Sequence, residues 1–317
     1  MAMKKGLLTL AAGTAGVTGI ELFNRAVTLD PSELEGQLPV DPLMWQWRLG
    51  KVAVYESGNP ANPPILLLHG QNAAASAHEM EEPFARLSEN YHVFAPDLLG
   101  YGLSDRPDID YTPELYIDLI TDLLREVVKQ PATVIALSLT SAYAIEVAAL
   151  NPEWVANLVL VCPTGLRRLT TQSSRGKVVE GILKTPVIGQ SLFNGIASKA
   201  GIRGFLKSQT YYDKSLVTDE LVEMNYRTAH VPGARFAPAA FVSGKLYHDA
   251  SEAWTRLKQP ILLVWGREAT ITPISDAAIF LATNPHAALE EISPAGIVPQ
   301  DEQPEQFVRA VVKWLER

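Results

Sequence analysis

The chain predicts an α/β protein: a mostly parallel central sheet with helices on both faces. Three observations carry this. First, Pro64-Ile65-Leu66-Leu67-Leu68, Leu158-Val159-Leu160-Val161-Cys162 and Pro260-Ile261-Leu262-Leu263-Val264-Trp265 are continuous apolar runs, as strands buried on both faces must be. Second, Tyr116, Leu119, Ile120, Leu123 and Val127 recur at helical spacing, which gives one apolar face. Third, such runs and helices alternate along the chain, the pattern of a parallel sheet built by crossovers.

Taken in order, Lys4-Lys5 precede a short apolar run from Gly6 to Ile20, broken by Thr9, Thr14 and Thr18. Residues 1–27 therefore carry two readings. One is a signal or membrane anchor, although the run is shorter than the roughly 20 apolar residues that cross a bilayer. The other is a weakly amphipathic helix packed on the domain of a cytoplasmic protein. Leu29 to Leu43 is polar and dotted with proline, and reads as a linker. Met44–Arg48 and Lys51–Tyr55 flank Leu49-Gly50 and predict a hairpin. The run 64–68 is the first central strand, and Tyr91–Pro96 a shorter one. Thr112-Pro113 opens a helix, since threonine caps and proline at the first position loses no needed hydrogen bond. Strand Thr133–Leu137 and helix Thr140–Leu150 follow, then the strands at 158 and 260. A weaker strand, Ala287–Ile292, and an amphipathic helix from Glu305 to Leu315 close the chain. Between Gly165 and Ser251 the alternation stops and the sequence turns helical, which predicts a cap. The expected organisation is a core of residues 44–164 and 252–317 with a helical cap at 165–251.

Composition narrows the chemistry. Hydrophobic residues make up 47% and charged residues 20% of 317 positions, enough apolar material for one large core. A net charge of −8 without a basic stripe argues against nucleic acid as partner. Cys162 is the single cysteine, so neither a disulfide framework nor a multi-cysteine metal site is available, and it reads as a core residue. No histidine pair has the spacing of a metal site, and no metal or other cofactor is expected.

The most informative stretch is Val134-Ile135-Ala136-Leu137-Ser138-Leu139-Thr140-Ser141-Ala142. It reads as a buried strand entering a helix with one serine at the corner, the layout of a nucleophile elbow. Glycine is usual two positions either side of such a serine; Ala136 and Thr140 stand there and crowd the elbow. Together with Leu68-His69-Gly70-Gln71, Pro96-Asp97-Leu98-Leu99-Gly100-Tyr101-Gly102 and Val264-Trp265-Gly266, the elbow makes residues 44–317 resemble the α/β-hydrolase superfamily. Among capped members the likeness is to esterases, haloalkane dehalogenases and epoxide hydrolases. Serine rather than aspartate at the elbow points to ester or acyl chemistry on an apolar or acyl small molecule. The resemblance implies Ser138 as nucleophile and an oxyanion hole formed by the backbone N–H groups of Gln71 and Leu139. It leaves His69 to shape its loop and Asp97 to bond its own.

The chain departs from the superfamily where the serine should be activated. The acid is expected in Gly266-Arg267-Glu268-Ala269-Thr270-Ile271-Thr272-Pro273, where Ala269 holds its position. The histidine is expected in Gly296-Ile297-Val298-Pro299, where Ile297 holds its position. Loss of the base of such a triad costs on the order of 10⁶ in turnover, leaving about 10³–10⁴ over water from binding and the oxyanion hole. Glu268, His78 and His230 are candidate substitutes; His92, His248 and His286 fall in segments expected far from the serine. Three readings follow: a serine-type ester or acyl hydrolase with an unusual base, a non-catalytic binder of an apolar small molecule or lipid, and a membrane-tethered partner-binding protein.

Overall fold

The computed structural model describes residues 18–166 and 173–317. One sheet is formed by β1 (Leu43–Trp47), β2 (Gly50–Ser57), β3 (Pro64–Leu68), β4 (His92–Pro96), β5 (Ala132–Leu137), β6 (Val155–Val161), β7 (Ile261–Gly266) and β8 (Ala288–Ile292). The strand order is β1-β2-β4-β3-β5-β6-β7-β8. β2 runs antiparallel to β1 and β4, and the remaining neighbours are parallel. The hairpin and every predicted strand are present, including the weak last one. β8 keeps only Ile292 fully buried because it is the sheet's edge.

The continuous apolar runs are explained by burial on both faces. Leu66 and Leu68 of β3 join Tyr116, Tyr143 and Trp254 in one apolar layer. The alternate residues Ile65 and Leu67 join Phe84 and Phe307 in the other. The helix Pro113–Asp122 starts where Thr112 caps it, its Oγ1 accepting from the Leu115 amide. Residues 30–42 are not a free linker: the Gln37 amide donates to the Tyr55 hydroxyl at 2.8 Å, and Leu38 is buried.

Among the described residues six α-helices lie between β6 and β7: Ser174–Lys184, Ile188–Ile196, Lys199–Phe205, Asp219–Ala229, Phe236–Val242 and Ser251–Arg256. The later part of this insertion is built into the main core, since Phe236, Ala237, Ala240, Leu246 and Ala250 pack within the first apolar layer. Residues 18–27 are helical and fastened to the helix Ile188–Ile196 and its cap residue Val187 by buried Asn24. Its Nδ2 donates to the Val187 carbonyl, and its Oδ1 accepts from Ser191 and Asn194. Of residues 1–27, read as a signal or membrane anchor, residues 1–17 lie outside the described residues. Among the described residues no helix is long and apolar enough to cross a membrane.

The sheet order brings the carboxyl ends of β3, β5, β6, β7 and β8 to one edge. Leu68 pairs with Ala136, Leu137 with Val161, Val161 with Val264, and Gly266 with Ile292. Ligands in open α/β sheets bind outside this edge.

Candidate active site

Ser138 follows the last residue of β5 and adopts φ +53°, a left-handed conformation that is uncommon for a residue with a side chain. Its amide donates to the Val161 carbonyl at 2.9 Å, and its carbonyl accepts from the Ser141 and Thr164 amides. These bonds hold the strained turn. The residue is half-buried, and its hydroxyl has no hydrogen-bond partner among the described residues.

The residues flanking the elbow explain how it forms without the usual glycines. Thr140 is buried, but its Oγ1 donates to the His69 carbonyl at 2.7 Å. Ser141 Oγ donates to the Ala136 carbonyl at 2.9 Å. The larger side chain at 140 thus becomes a tie between the elbow and the neighbouring loop.

That loop is held from three sides. His69 is fully buried; its Nδ1–H donates to the Gly70 carbonyl, and its Nε2 accepts from the Leu98 amide. Burial pushes its pKa down to about 4, so the ring is neutral and fully used. Glu79 accepts from the Gly70 amide at 2.8 Å and from Asn72 Nδ2 at 2.7 Å. Gln300 reaches across to the Glu79 carbonyl at 3.0 Å. Asp97 accepts from the Ala77 and Leu103 amides, which fixes the next loop. The Gln71 and Leu139 amides donate to no other group among the described residues. The Gln71 side chain is also buried, and both its amide oxygen and nitrogen lack partners.

The loops after β7 and β8 are zipped together. The Glu268 amide donates to the Ala295 carbonyl, and the Glu268 carboxylate accepts from the Ala295 amide at 2.8 Å and from Ser293 Oγ at 3.0 Å. A side chain at Gly266 would overlap the Gly296 carbonyl, so glycine is required there by close approach. Cys162 is buried beneath both loops, its Sγ contacting the Gly266 amide and the Gly296 carbonyl. Burial raises its pKa to about 12, so it is an unreactive thiol. Glu302 holds Gly296 from below and also accepts from the Tyr212 and Asp213 amides. The Ile297 amide donates to the Thr210 carbonyl, and the Ile297 side chain packs against both apolar layers. Ala269 is buried in the layer that contains Leu139.

The candidate substitutes are engaged elsewhere. Glu268 is consumed by Ser293 and Ala295. His78 pairs with Glu81 at 3.0 Å. Burial works against its charged form, but Glu81, Asp301 and Glu79 outweigh that and raise its pKa. His230 is buried, stacks on Tyr226 and bonds the Tyr226 carbonyl, and burial lowers its pKa. His92 pairs with Glu56, His248 with Glu146, and His286 is exposed. No imidazole bonds the Ser138 hydroxyl among the described residues. A cavity of about 760 Å³ lies between residues 34–37 and the helix Asp219–Ala229, floored by His78, Tyr211 and Asp301; Ser138 does not line it. Among the described residues no group of three or more His, Cys, Asp or Glu is arranged to hold a metal.

Fold and elbow define a protein of the α/β-hydrolase type. A model of the alpha/beta hydrolase family matches residues 65–310, and the chain belongs to that family. It is similar to 2-hydroxymuconate semialdehyde hydrolase of Pseudomonas putida, 26% identical over 259 residues, covering 80% of this chain and 86% of that protein. An uncharacterised protein of Mycobacterium tuberculosis is 24% identical over 263 residues, covering 81% and 76%. Among solved structures, a meta-cleavage product hydrolase superposes with a TM-score of 0.70 at 25% identity, covering 87% of this chain and 98% of that one.

Sequence reading missed the Glu79 clamp, the Thr140 tie and the unpartnered Gln71 amide. All three act on or beside backbone groups, which leave no pattern in side-chain spacing.

Proposed function

We propose that the chain binds an apolar carbonyl compound at the edge above Ser138 and hydrolyses esters slowly or not at all. The ligand oxygen would sit between the Leu139 and Gln71 amides, with the Gln71 side chain as a further polar contact. The observation that carries this reading is the surroundings of Ser138: aliphatic Ile297 and Ala269 where the resemblance expects the proton acceptor and its anchor, and five of the six histidines bonded to other partners. A serine without a base is a poor nucleophile near neutral pH. The apolar surroundings suit a ligand with a large hydrocarbon part.

A second reading is acyl chemistry through Ser138 with water or a ligand group as base. It is favoured by the strained φ of Ser138, because strain that persists at a site is commonly tied to its chemistry.

One experiment separates them. p-Nitrophenyl esters of short and long acyl chains are assayed with wild type and Ser138→Ala, alongside labelling by a fluorophosphonate and thermal-shift screening with fatty acids and apolar ketones. The binding reading expects ligand-induced stabilisation, slow labelling and weak turnover. Ser138-dependent turnover with kcat/KM above about 10⁴ M⁻¹s⁻¹ would replace it with the hydrolase reading. Neither binding nor turnover would remove both.

A further inference from the structure

The cap turns an apolar and basic face outward, and we propose that this face docks on an anionic lipid bilayer. The helix Ile188–Ile196 buries Phe193 and Asn194 but presents Ile188, Leu192 and Ile196 one turn apart on its outer side, with 62%, 48% and 47% exposure. Asn24 fixes residues 18–27 alongside it, where Leu22 and Phe23 are 61% and 56% exposed. On the other flank Gly189 packs against the Ile182 and Leu183 carbonyls, with no room for a side chain. That contact brings up the helix Ser174–Lys184, whose Val178 and Ile182 also face solvent. Single exposed aliphatics need no explanation, but a contiguous set on neighbouring helices marks an interaction surface.

Charge identifies the occupant. Residues 173–207 contain six basic side chains against the single acid Glu180, a net +5 inside a chain of net −8. Lys184 pairs with Glu180, Lys199 with Glu223 and Arg203 with Asp219. Arg175, Lys177 and Lys207 have no acidic partner among the described residues. Basic residues around an exposed apolar face are the composition of helices that lie in the headgroup region of anionic membranes. A second copy docked through the same face would set positive charge against positive charge. The chain also enters the described fold at this face, directly after an apolar run preceded by Lys4-Lys5. The proposal does not depend on what Ser138 does.

The test is co-sedimentation of the full chain with vesicles of phosphatidylcholine, alone or with about a third phosphatidylglycerol. The full chain is expected to bind the anionic vesicles, less so at high salt, and to ignore the neutral ones. Ile188→Glu with Leu192→Glu changes only exposed side chains and is expected to lower binding by about tenfold or more, with the circular dichroism spectrum and Tm retained. Arg175→Glu with Lys177→Glu is expected to lower binding to the anionic vesicles and to weaken its salt dependence. Three outcomes overturn the proposal. The full chain stays in the supernatant; or the Ile188/Leu192 double variant binds as wild type, so that residues outside the cap hold the membrane; or light scattering shows a dimer lost in that variant while vesicles are ignored.

Discussion

Thr140 Oγ1 donates a 2.7 Å hydrogen bond to the His69 carbonyl and thereby fastens the elbow of Ser138 to the loop of Gln71. Both groups are buried, so no water replaces the bond if it is lost. Thr140→Val keeps the shape and removes the donor. An acceptor left buried and unpaired costs about 1–3 kcal/mol. Urea unfolding should report that loss, and Thr140→Ser should recover most of it. A valine variant as stable as wild type would show that the tie does not hold the two loops.

Glu79 controls the same loop from the other side and makes stability depend on pH. Burial pushes its carboxyl up to about 7 from an ordinary 4.5, the bonds from Gly70 and Asn72 only partly opposing this. Between those values the folded chain holds a proton that the unfolded chain has lost. The stability from this group is therefore complete below about 4.5 and disappears as pH rises through about 7. Glutamine cannot ionise. Between pH 4.5 and 8, wild type should lose about 1–3 kcal/mol relative to Glu79→Gln, measured by urea unfolding at both ends. Parallel pH profiles for the two proteins would mean that Glu79 titrates normally.

The Gln71 side chain separates folding from binding. A buried amide without partners costs stability, and an aliphatic residue of similar volume removes that cost. Gln71→Leu should raise stability by about 1–2 kcal/mol in thermal or urea unfolding. Any carbonyl ligand found by thermal-shift screening should bind it more weakly than wild type. Changes of the same sign in both measurements would indicate that Gln71 serves the fold alone.

The sheet was readable because two-sided burial leaves an unmistakable mark: Ile65 and Leu66 face opposite layers, and both must be apolar. Ser138 was readable because a strand, a corner and a helix follow one another within nine residues. The positions of Ala269 and Ile297 could be counted from the flanking Trp265-Gly266 and Pro299–Pro304. The orientation of His78 and His230 could not, since it is set by Glu81 and by Tyr226 in the folded chain. Nothing in the sequence singles out Glu79. Only the fold brings the Gly70 amide to it, nine residues back along the chain.

Ala269→Asp with Ile297→His tests the central reading, and the two loops are already joined in a way that suits it. Glu268 and Ala295 hold them in register, and Gly266 lies against Gly296. Ala269→Asp alone places a carboxylate in an apolar layer and should destabilise by about 1–3 kcal/mol. Ile297→His alone gives an imidazole with no anchor. Triad members act as a unit, so neither single variant should raise ester hydrolysis appreciably. Together the new side chains can pair, so part of the stability loss should return as a positive coupling in a double-mutant cycle. The kcat/KM for p-nitrophenyl esters should rise by about 10²-fold or more, and Ser138→Ala should abolish the gain. A folded double variant with neither coupling nor gain would mean that these two positions do not face Ser138 together, and the proposed vacancy of its proton relay would be wrong.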